Sequence, residues 1–385
     1  MPGIYRLKGV VKHYDWGGSY FIPSLLQTEN KESRPFAEYW MGVHPLGMSK
    51  VETDAGEWKE LSEYTPGLPY LFKLLDVKDM LSIQVHPSKE AAATEFAKEN
   101  AAGVPLDSPQ RNYKDGNHKP ELMVALSEFW LLHGFKPAEE LVYTLLNVVE
   151  LRELLSIFNE SGYPGLYRHI MEMPQAEVNR ILQPLVKNLA SIKEIEQDKN
   201  EEDFWVAKAA QTFSANGNID RGLFSIYLFN LVHLKKGEGI FQAAGVPHAY
   251  LEGQNVEIMT SSDNVLRGGL TSKHIDVKEL MKHIKCEATI PEILVAEPLN
   301  GPEKIYRTDT PDFRLTVFDL QAGETVSFSP FATEILLLTE GNSTVNNGTQ
   351  SISCKPGNPS LVALPGAPVA LTAVTNSIVF RAALP

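Results

Sequence analysis

The sequence predicts a mainly β protein interrupted by an α-helical insertion. Three observations carry that reading. Up to about residue 136 the chain consists of short β-like runs broken by Gly, Pro and Asn; from Pro137 to about Phe213 apolar residues recur at helical spacing; from about Gly222 the β texture returns and lasts to the end. Many short strands with Gly/Pro turns indicate a sandwich or barrel, and the helical stretch separates two such β regions, which could be two copies of one architecture. At about 150 residues per domain, 385 residues make two to three domains. That length buries a sizeable core.

In chain order, Tyr70-Leu71-Phe72-Lys73-Leu74-Leu75 and Leu81-Ser82-Ile83-Gln84-Val85-His86 read as buried strands. Ser88 to Asn100, with Ala91, Ala92, Ala93, Phe96 and Ala97, reads as a helix that Ser88 caps after Pro87 ends the strand. Leu141, Leu145, Val148, Leu151 and Leu155, then Val178, Ile181, Leu182, Leu185 and Leu189, mark two amphipathic faces. The charged stretch Lys193 to Asp203 reads as a solvated helix face or connection. Phe224 to Leu234 reads as a strand, Lys235 to Gly239 as a turn and Ile240 to Ala243 as a further strand. Beyond about Ile290, Phe313 to Phe318 alternates at period two, as do Thr325 to Phe328 and the stretch around Leu361 to Leu364. Gly341, Gly348, Pro356, Gly357, Pro365 and Gly366 punctuate them.

Composition narrows the function classes. Hydrophobic residues at 43% and charged residues at 22% describe an ordinary globular chain. The net charge of −13 argues against nucleic acid or an anionic membrane surface as the main partner. An anionic substrate therefore needs a local basic cluster. Cys286 and Cys354 are too few for a disulfide framework or a thiolate zinc site, so the sequons at Asn159, Asn342 and Asn347 read as chance matches. The N-terminal residues have no apolar h-region. No apolar run reaches a membrane span; the closest, Phe224 to Leu234, contains Asn230 and His233. A reduced, cytoplasmic protein is expected.

All ten histidines lie at or before His283, so histidine chemistry is not expected from the C-terminal β region, and residues beyond about 290 read as structural. Three clusters are rich in ligand-type residues. In Gln84-Val85-His86-Pro87, residues two apart on a strand face the same way, so the Gln84 carbonyl and the His86 ring aim at one point. His118-Lys119-Pro120-Glu121 sets a carboxylate beside a cation, and Gly245-Val246-Pro247-His248-Ala249-Tyr250 presents His248 after a tight turn. Two imidazoles, a carboxylate and an amide carbonyl suit zinc, and also iron, cobalt or manganese. A fourth stretch, Ser261 to Lys273, reads as a short polar loop in which Gly268-Gly269, Arg267 and Lys273 suit phosphate. There Asp263, four residues before Arg267, is expected to orient the guanidinium.

Gln84-Val85-His86 with the later Pro247-His248 resembles the cupin metal-binding pattern, although Glu121 follows Gln84 by 37 residues rather than a few. Within the cupins, the sequence resembles the type I mannose-6-phosphate isomerases. The matching segments are Tyr14-Asp15-Trp16-Gly17, Ala37 to Pro45, Leu71-Phe72-Lys73, Leu81 to Pro87, Asn117 to Glu121, Pro247 to Tyr250 and Ser262 to Thr271. The resemblance implies a cupin (jelly-roll) catalytic barrel over residues 1–136 and 222–288, a helical insertion over 137–221 and a second cupin-like barrel over 289–385. It implies one zinc per chain on Gln84, His86, Glu121 and His248. It assigns Arg267 as a catalytic arginine, puts His118, Lys119, Asp263 and Lys273 in the pocket, and links Ser82 and Glu257 to substrate contact or proton transfer. Tyr250 and Lys73 complete the expected substrate-binding set.

The implied reaction interconverts mannose 6-phosphate and fructose 6-phosphate through a cis-enediol, with no redox cofactor. His118 is expected to open the sugar ring, since its ordinary pKa is near neutral. Glu257, Asp263 and Lys119 are the candidates for moving the proton between C2 and C1. Arg267 either grips phosphate or stabilises the enediolate, and Lys73, Lys119 and Lys273 are the other local cations. A monomer with a small-molecule partner, and neither nucleic acid nor membrane, is expected. Two rivals stand beside this reading. An Fe(II) cupin oxygenase would need only His86, His248 and Glu121, but has no need of a phosphate cradle; a non-catalytic sugar-binding cupin would keep the pocket with part of the metal set.

Overall fold

The computed structural model describes residues 3–191 and 198–385, and it is mainly β with a helical segment. One sheet of eleven strands carries the candidate site residues. Along its main path run Leu294–Val295, Glu238–Gln242, Glu121–Ala125, His248–Thr260, Tyr70–Val77, Glu38–Gly42 and Val10–Lys12; Phe129–Phe135, Phe229–Leu234, Ile83–Val85 and Leu266–Gly269 attach beside it. The sheet is curled rather than a closed barrel. Its hinge is the 13-residue strand His248–Thr260. The first part pairs with Phe129–Phe135 and Ile83–Val85, the rest with Tyr70–Val77 and Glu121–Ala125. A register shift between Tyr250 and Glu252 and a left-handed Gly253 (φ 133°) make the bend. A side chain there would put Cβ 2.7 Å from the Glu128 carbonyl oxygen, so glycine is required.

A nine-stranded sheet runs Glu297–Asn300, Glu303–Tyr306, Arg314–Leu320, Ser377–Ala383, Glu334–Glu340, Ser360–Leu364, Gly3–Lys8, Lys50–Glu52 and Trp58–Glu60. A four-stranded sheet lies against it: Thr325–Phe328, Val369–Ala373, Ser343–Asn346 and Ser351–Cys354. Ile335-Leu336-Leu337-Leu338 explains why strands here are apolar on both faces. Leu336 and Leu338 enter the core shared with the four-stranded sheet, while Ile335 and Leu337 pack with Tyr70, Phe72 and Ile258 of the eleven-stranded sheet. Each such fully buried aliphatic side chain contributes about 2 kcal/mol. The N-terminal strand Gly3–Lys8 pairs with Ser360–Leu364, so the first residues of the chain stitch to the last β region.

The helical segment comprises Ala138–Asn147, Leu154–Glu172, Gln175–Ser191 and Glu202–Phe213, and its apolar faces form one large core with Ile83, Val85, Leu132 and Leu251. The first expected helix is present as Lys89–Ala101, capped by Ser88 Oγ accepting from the Ala91 amide at 3.2 Å. Of the charged stretch 193–203, residues 193–197 lie outside the described residues; Lys199 pairs with Glu252. Two expectations are corrected. Phe224 to Leu234 is not one strand: Gly222–Leu228 is helical and only Phe229–Leu234 is extended. All seven residues of the helical part are buried, Ser225 included, so no exposed polar face marks its period, and a buried, mostly apolar run alone does not separate helix from strand. The polar stretch around Arg267 is not wholly a loop either, since Leu266–Gly269 is a strand paired with Ile83–Val85.

Candidate metal centre

Three of the four expected ligands converge. His86 follows the strand Ile83–Val85, Glu121 opens Glu121–Ala125 and His248 opens His248–Thr260, and all three are buried. Glu121 Oε2 lies 3.4 Å from both His86 Nε2 and His248 Nε2. The tautomers follow from the other ring nitrogens. His86 Nδ1 donates to the Asn264 carbonyl at 2.9 Å and His248 Nδ1 to the Val246 carbonyl at 3.0 Å. A carbonyl only accepts, so both protons sit on Nδ1 and both Nε2 lone pairs face Glu121. His86 Nε2 has no hydrogen-bond partner, and an orphaned buried polar atom costs about 1–3 kcal/mol. The group is arranged for a cation, with one ligand atom from each residue within 4.8 Å of the others.

The electrostatics agree. Burial pushes His86 down to about 4, which keeps it a neutral ligand. Burial alone would raise the Glu121 carboxyl, but the Lys119 ammonium, with Nζ at 2.9 Å, holds it well below the usual carboxylate range. Gln84 stands on the adjoining strand, in register with both His248 and Arg267, and lines a cleft. The triad thus offers two ring nitrogens and an ionised carboxylate, with the Gln84 amide on the adjoining strand.

Behind the triad is a second ionised group. Lys73 Nζ lies 3.1 Å from Glu257 Oε1, 3.9 Å from Glu38 Oε2 and 5.2 Å from the centre of the Trp40 ring. Tyr250 Oη donates to the other Glu257 oxygen at 2.8 Å. Burial pushes Glu257 up, against the pull of Lys73. Burial would lower Lys73, but Glu257 and Glu38 reverse it and raise the ammonium above its ordinary value. Lys73 is therefore neutralised inside the protein rather than held free for an anion.

The remaining acid–base candidates have partners from other parts of the chain. Asp263 Oδ2 faces His44 Nε2 at 3.4 Å, with the Leu46 amide donating to His44 Nδ1. Burial would raise Asp263, but His44 overrides it and lowers the carboxyl. Asp263 thus turns to His44, which the sequence reading passed over, and not to Arg267. His118 Nε2 lies 2.9 Å from Asp312 Oδ2, close enough for an ion pair but off the line of a hydrogen bond. Asp312 belongs to the C-terminal β region, so that region reaches a candidate catalytic residue despite its lack of histidine. The 194 positions separating the two hid the pair from sequence reasoning.

The cleft holds about 750 Å³ and is lined by Tyr14, Trp16, Glu38, Ser82, Gln84, Arg267, Thr271 and Lys273, among others. Tyr14 and Trp16 stack with ring centres 5.8 Å apart. Among the described residues no hydrogen bond or ion pair is made by the Arg267 guanidinium. Burial pushes its pKa down with no acid to offset it, and burial together with Arg267 lowers Lys273. Just beyond Arg267 the chain is held in an unusual shape: Leu270 has φ 52°, left-handed for a branched residue. The Asp220 carboxylate holds that turn by accepting from the amides of Gly222 (2.6 Å), Leu270 (2.8 Å) and Thr271 (3.3 Å). Asp220, too, gave no signal in sequence.

Comparison with known proteins follows the same lines. Residues 4–138 match the family described as Phosphomannose isomerase type I, catalytic domain. The chain is 36% identical to the mannose-6-phosphate isomerase of Shigella flexneri, over 94% of this chain and 96% of that one. It is 32% identical to the Homo sapiens enzyme over 88% of each. Among solved structures, a zinc-bound mannose 6-phosphate isomerase superposes with a TM-score of 0.87 at 32% identity, over 99% of both chains. So does the Salmonella typhimurium enzyme bound to its substrate and to zinc, at 31% identity and the same score and coverage.

Proposed function

The chain belongs to the type I phosphomannose isomerases, and from that membership we propose that it is a zinc-dependent isomerase interconverting mannose 6-phosphate and fructose 6-phosphate through a cis-enediol. The observation that carries the reading is the pairing of the buried His86–Glu121–His248 group with an Arg267 in the adjoining cleft that makes no ion pair among the described residues. One zinc per chain would be held by Gln84, His86, Glu121 and His248. The orphaned His86 Nε2 and the neutral-plus-anionic donor set fit that ion. When bound, zinc supplies positive charge for the oxygens of the enediolate.

The chain's own residues would do the rest. Arg267 and Lys273 receive the phosphate dianion; both face the cleft, and Arg267 has no acid among the described residues to satisfy first. Tyr14 and Trp16 wall that cleft and keep water from the sugar. His118 moves a proton between O1 and O5 to open the ring, and Asp312 stabilises the imidazolium formed on the way. Lys119, salt-bridged to Glu121, adds positive charge where the enediolate develops. Glu257, Asp263 and Lys119 are the groups able to hold the proton that moves between C2 and C1. Glu257, raised by burial, is the stronger base of the two carboxylates; Asp263, lowered, is the more exposed. Ser82 lines the cleft, and Tyr250 fixes the Glu257 carboxylate that its hydroxyl reaches.

We read residues 1–136 and 222–288, which supply most of the curled, open eleven-stranded sheet, as a cupin-type catalytic unit, the helices as an insertion over 137–221 and the remainder as a second cupin-like unit over 289–385. The first strand, shared with the last region, ties the two together. A monomer in the cytoplasm that handles sugar phosphate, without nucleic acid or membrane, completes the proposal. The acidic net charge supports the absence of a polyanionic partner, and among the described residues no helix is long and apolar enough to cross a membrane. The test is a coupled assay of fructose 6-phosphate formation from mannose 6-phosphate by zinc-loaded protein. Turnover is expected; a zinc-loaded, folded protein that fails to turn over either sugar phosphate overturns the proposal.

A further inference from the structure

We propose that Asn264, which supplies no side-chain atom to the metal group, is a positioning residue: its main-chain carbonyl sets the ring of His86, and its side-chain amide holds that carbonyl in place against the backbone of residues 114–117. Asn264 is 1% exposed. Its Oδ1 accepts from the amides of Lys114 at 2.7 Å and Asp115 at 3.3 Å. Its Nδ2 donates to the carbonyls of Asp115 and Asn117, each at 2.8 Å, and lies 3.2 Å from Asp115 Oδ1. Two backbone donors meet the oxygen and two backbone acceptors meet the nitrogen. The orientation of the amide is thus determined, and every bond it can make is made. The side chain acts as a piece of strand backbone, pairing with a segment 150 residues earlier.

The same residue's main-chain carbonyl receives His86 Nδ1–H. One residue therefore fixes the tautomer and aim of a metal ligand and anchors the segment leading to His118 and Lys119. Asp115 closes the knot from the other side: its carboxylate accepts from Ser262 Oγ at 2.9 Å, the Asp263 amide at 2.9 Å and the Asn117 amide at 2.9 Å. Asp263 and His118 are thereby tied to the same point. Asparagine is specific here. An aspartate would set an oxygen against two partly buried carbonyls in place of the donor that both accept from. Ligand orientation through the distal ring nitrogen is the usual lever on metal affinity, with losses of about 10–100-fold when it is disturbed.

The inference deepens the proposed function and rests on its metal centre. It is tested with full-length Asn264→Asp, which keeps the shape and loses both donors, and Asn264→Ser, which keeps the main-chain carbonyl and adds no charge. Zinc affinity is measured by chelator competition, the visible spectrum is recorded with cobalt(II) in place of zinc, and kcat and KM are determined. Zinc affinity should fall at least about tenfold in both variants, the cobalt bands should shift, and kcat should fall more than KM rises. A residue that merely holds the fold would lower the melting temperature and leave zinc affinity and the cobalt spectrum as in the parent. That result in whichever variant folds overturns the proposal. A parent protein that binds zinc without turning over sugar phosphates would overturn the proposed activity alone, because affinity and spectrum still decide the role of Asn264.

Discussion

Replacing Arg267 by methionine separates binding from folding more sharply than any other change in this site. Methionine keeps an unbranched stem and removes the charge. Arg267 makes no hydrogen bond or ion pair among the described residues, and its charged neighbour Lys273 repels it. Stability should therefore stay within about 0.5 kcal/mol, the range of a substitution that breaks no partnership. Binding should respond instead. A charge-assisted hydrogen bond is worth about 1.5–3 kcal/mol, and about 1.36 kcal/mol is a factor of ten, so KM for the sugar phosphate should rise roughly 10–150-fold. Inorganic phosphate should weaken as an inhibitor by a similar factor. Arg381 is the contrasting control. It is buried, bonded to both oxygens of Glu334 at 2.7 and 2.9 Å and to Glu303 at 2.8 Å, and removing it should cost about 3–5 kcal/mol. The assays are steady-state kinetics with zinc-loaded protein and denaturant midpoints. An Arg267→Met protein with wild-type KM and kcat, or one destabilised as much as Arg381→Met, refutes the reasoning.

Three further outcomes are expected. His86→Ala, or stripping with a chelator, should abolish stoichiometric zinc and activity, and zinc should restore activity to the stripped parent but not to the variant; metal analysis after gel filtration decides. His133, buried beside His248 and pushed by burial down to about 4 from 6.5, is neutral in the folded chain. Between those values the unfolded chain binds one more proton at this ring, so it should subtract stability as pH falls, by about 1.4 kcal/mol per pH unit; denaturant midpoints at pH 7, 6 and 5 should show a shallower slope in His133→Gln. Asp312→Asn should lower kcat roughly tenfold by removing the charge beside His118, with zinc content unchanged; kinetics and metal analysis read both.

Much of the architecture was legible because strand signals are local. Alternation at period two marks Phe313 to Phe318, Thr325 to Phe328 and Leu361 to Leu364, and apart from Phe313, just before its strand, all of these residues lie in strands. The cap at Ser88 is equally local, since a hydroxyl three residues from an amide needs no tertiary context. Phe224 to Leu228 was misread because a helix buried on all sides carries no exposed polar face.

Read alone, the short motifs already name the chemical groups that meet here: two imidazoles and a carboxylate in the buried triad, and an amide, an arginine and a lysine in the adjoining cleft. Those identities are properties of single residues in short segments. Which cation is free and which is spent was decided only by the tertiary structure. Lys73 and Arg267 look alike as cations in the sequence, yet Lys73 meets Glu257, 184 positions away, and Arg267 meets no acid among the described residues. Asp263 stands four residues from Arg267 but turns to His44, and His118 finds Asp312 in the last β region. The reason is electrostatic. A buried charge must be matched within a few ångströms, and the fold, through pairings of strands far apart in the chain, decides which opposite charge comes that near.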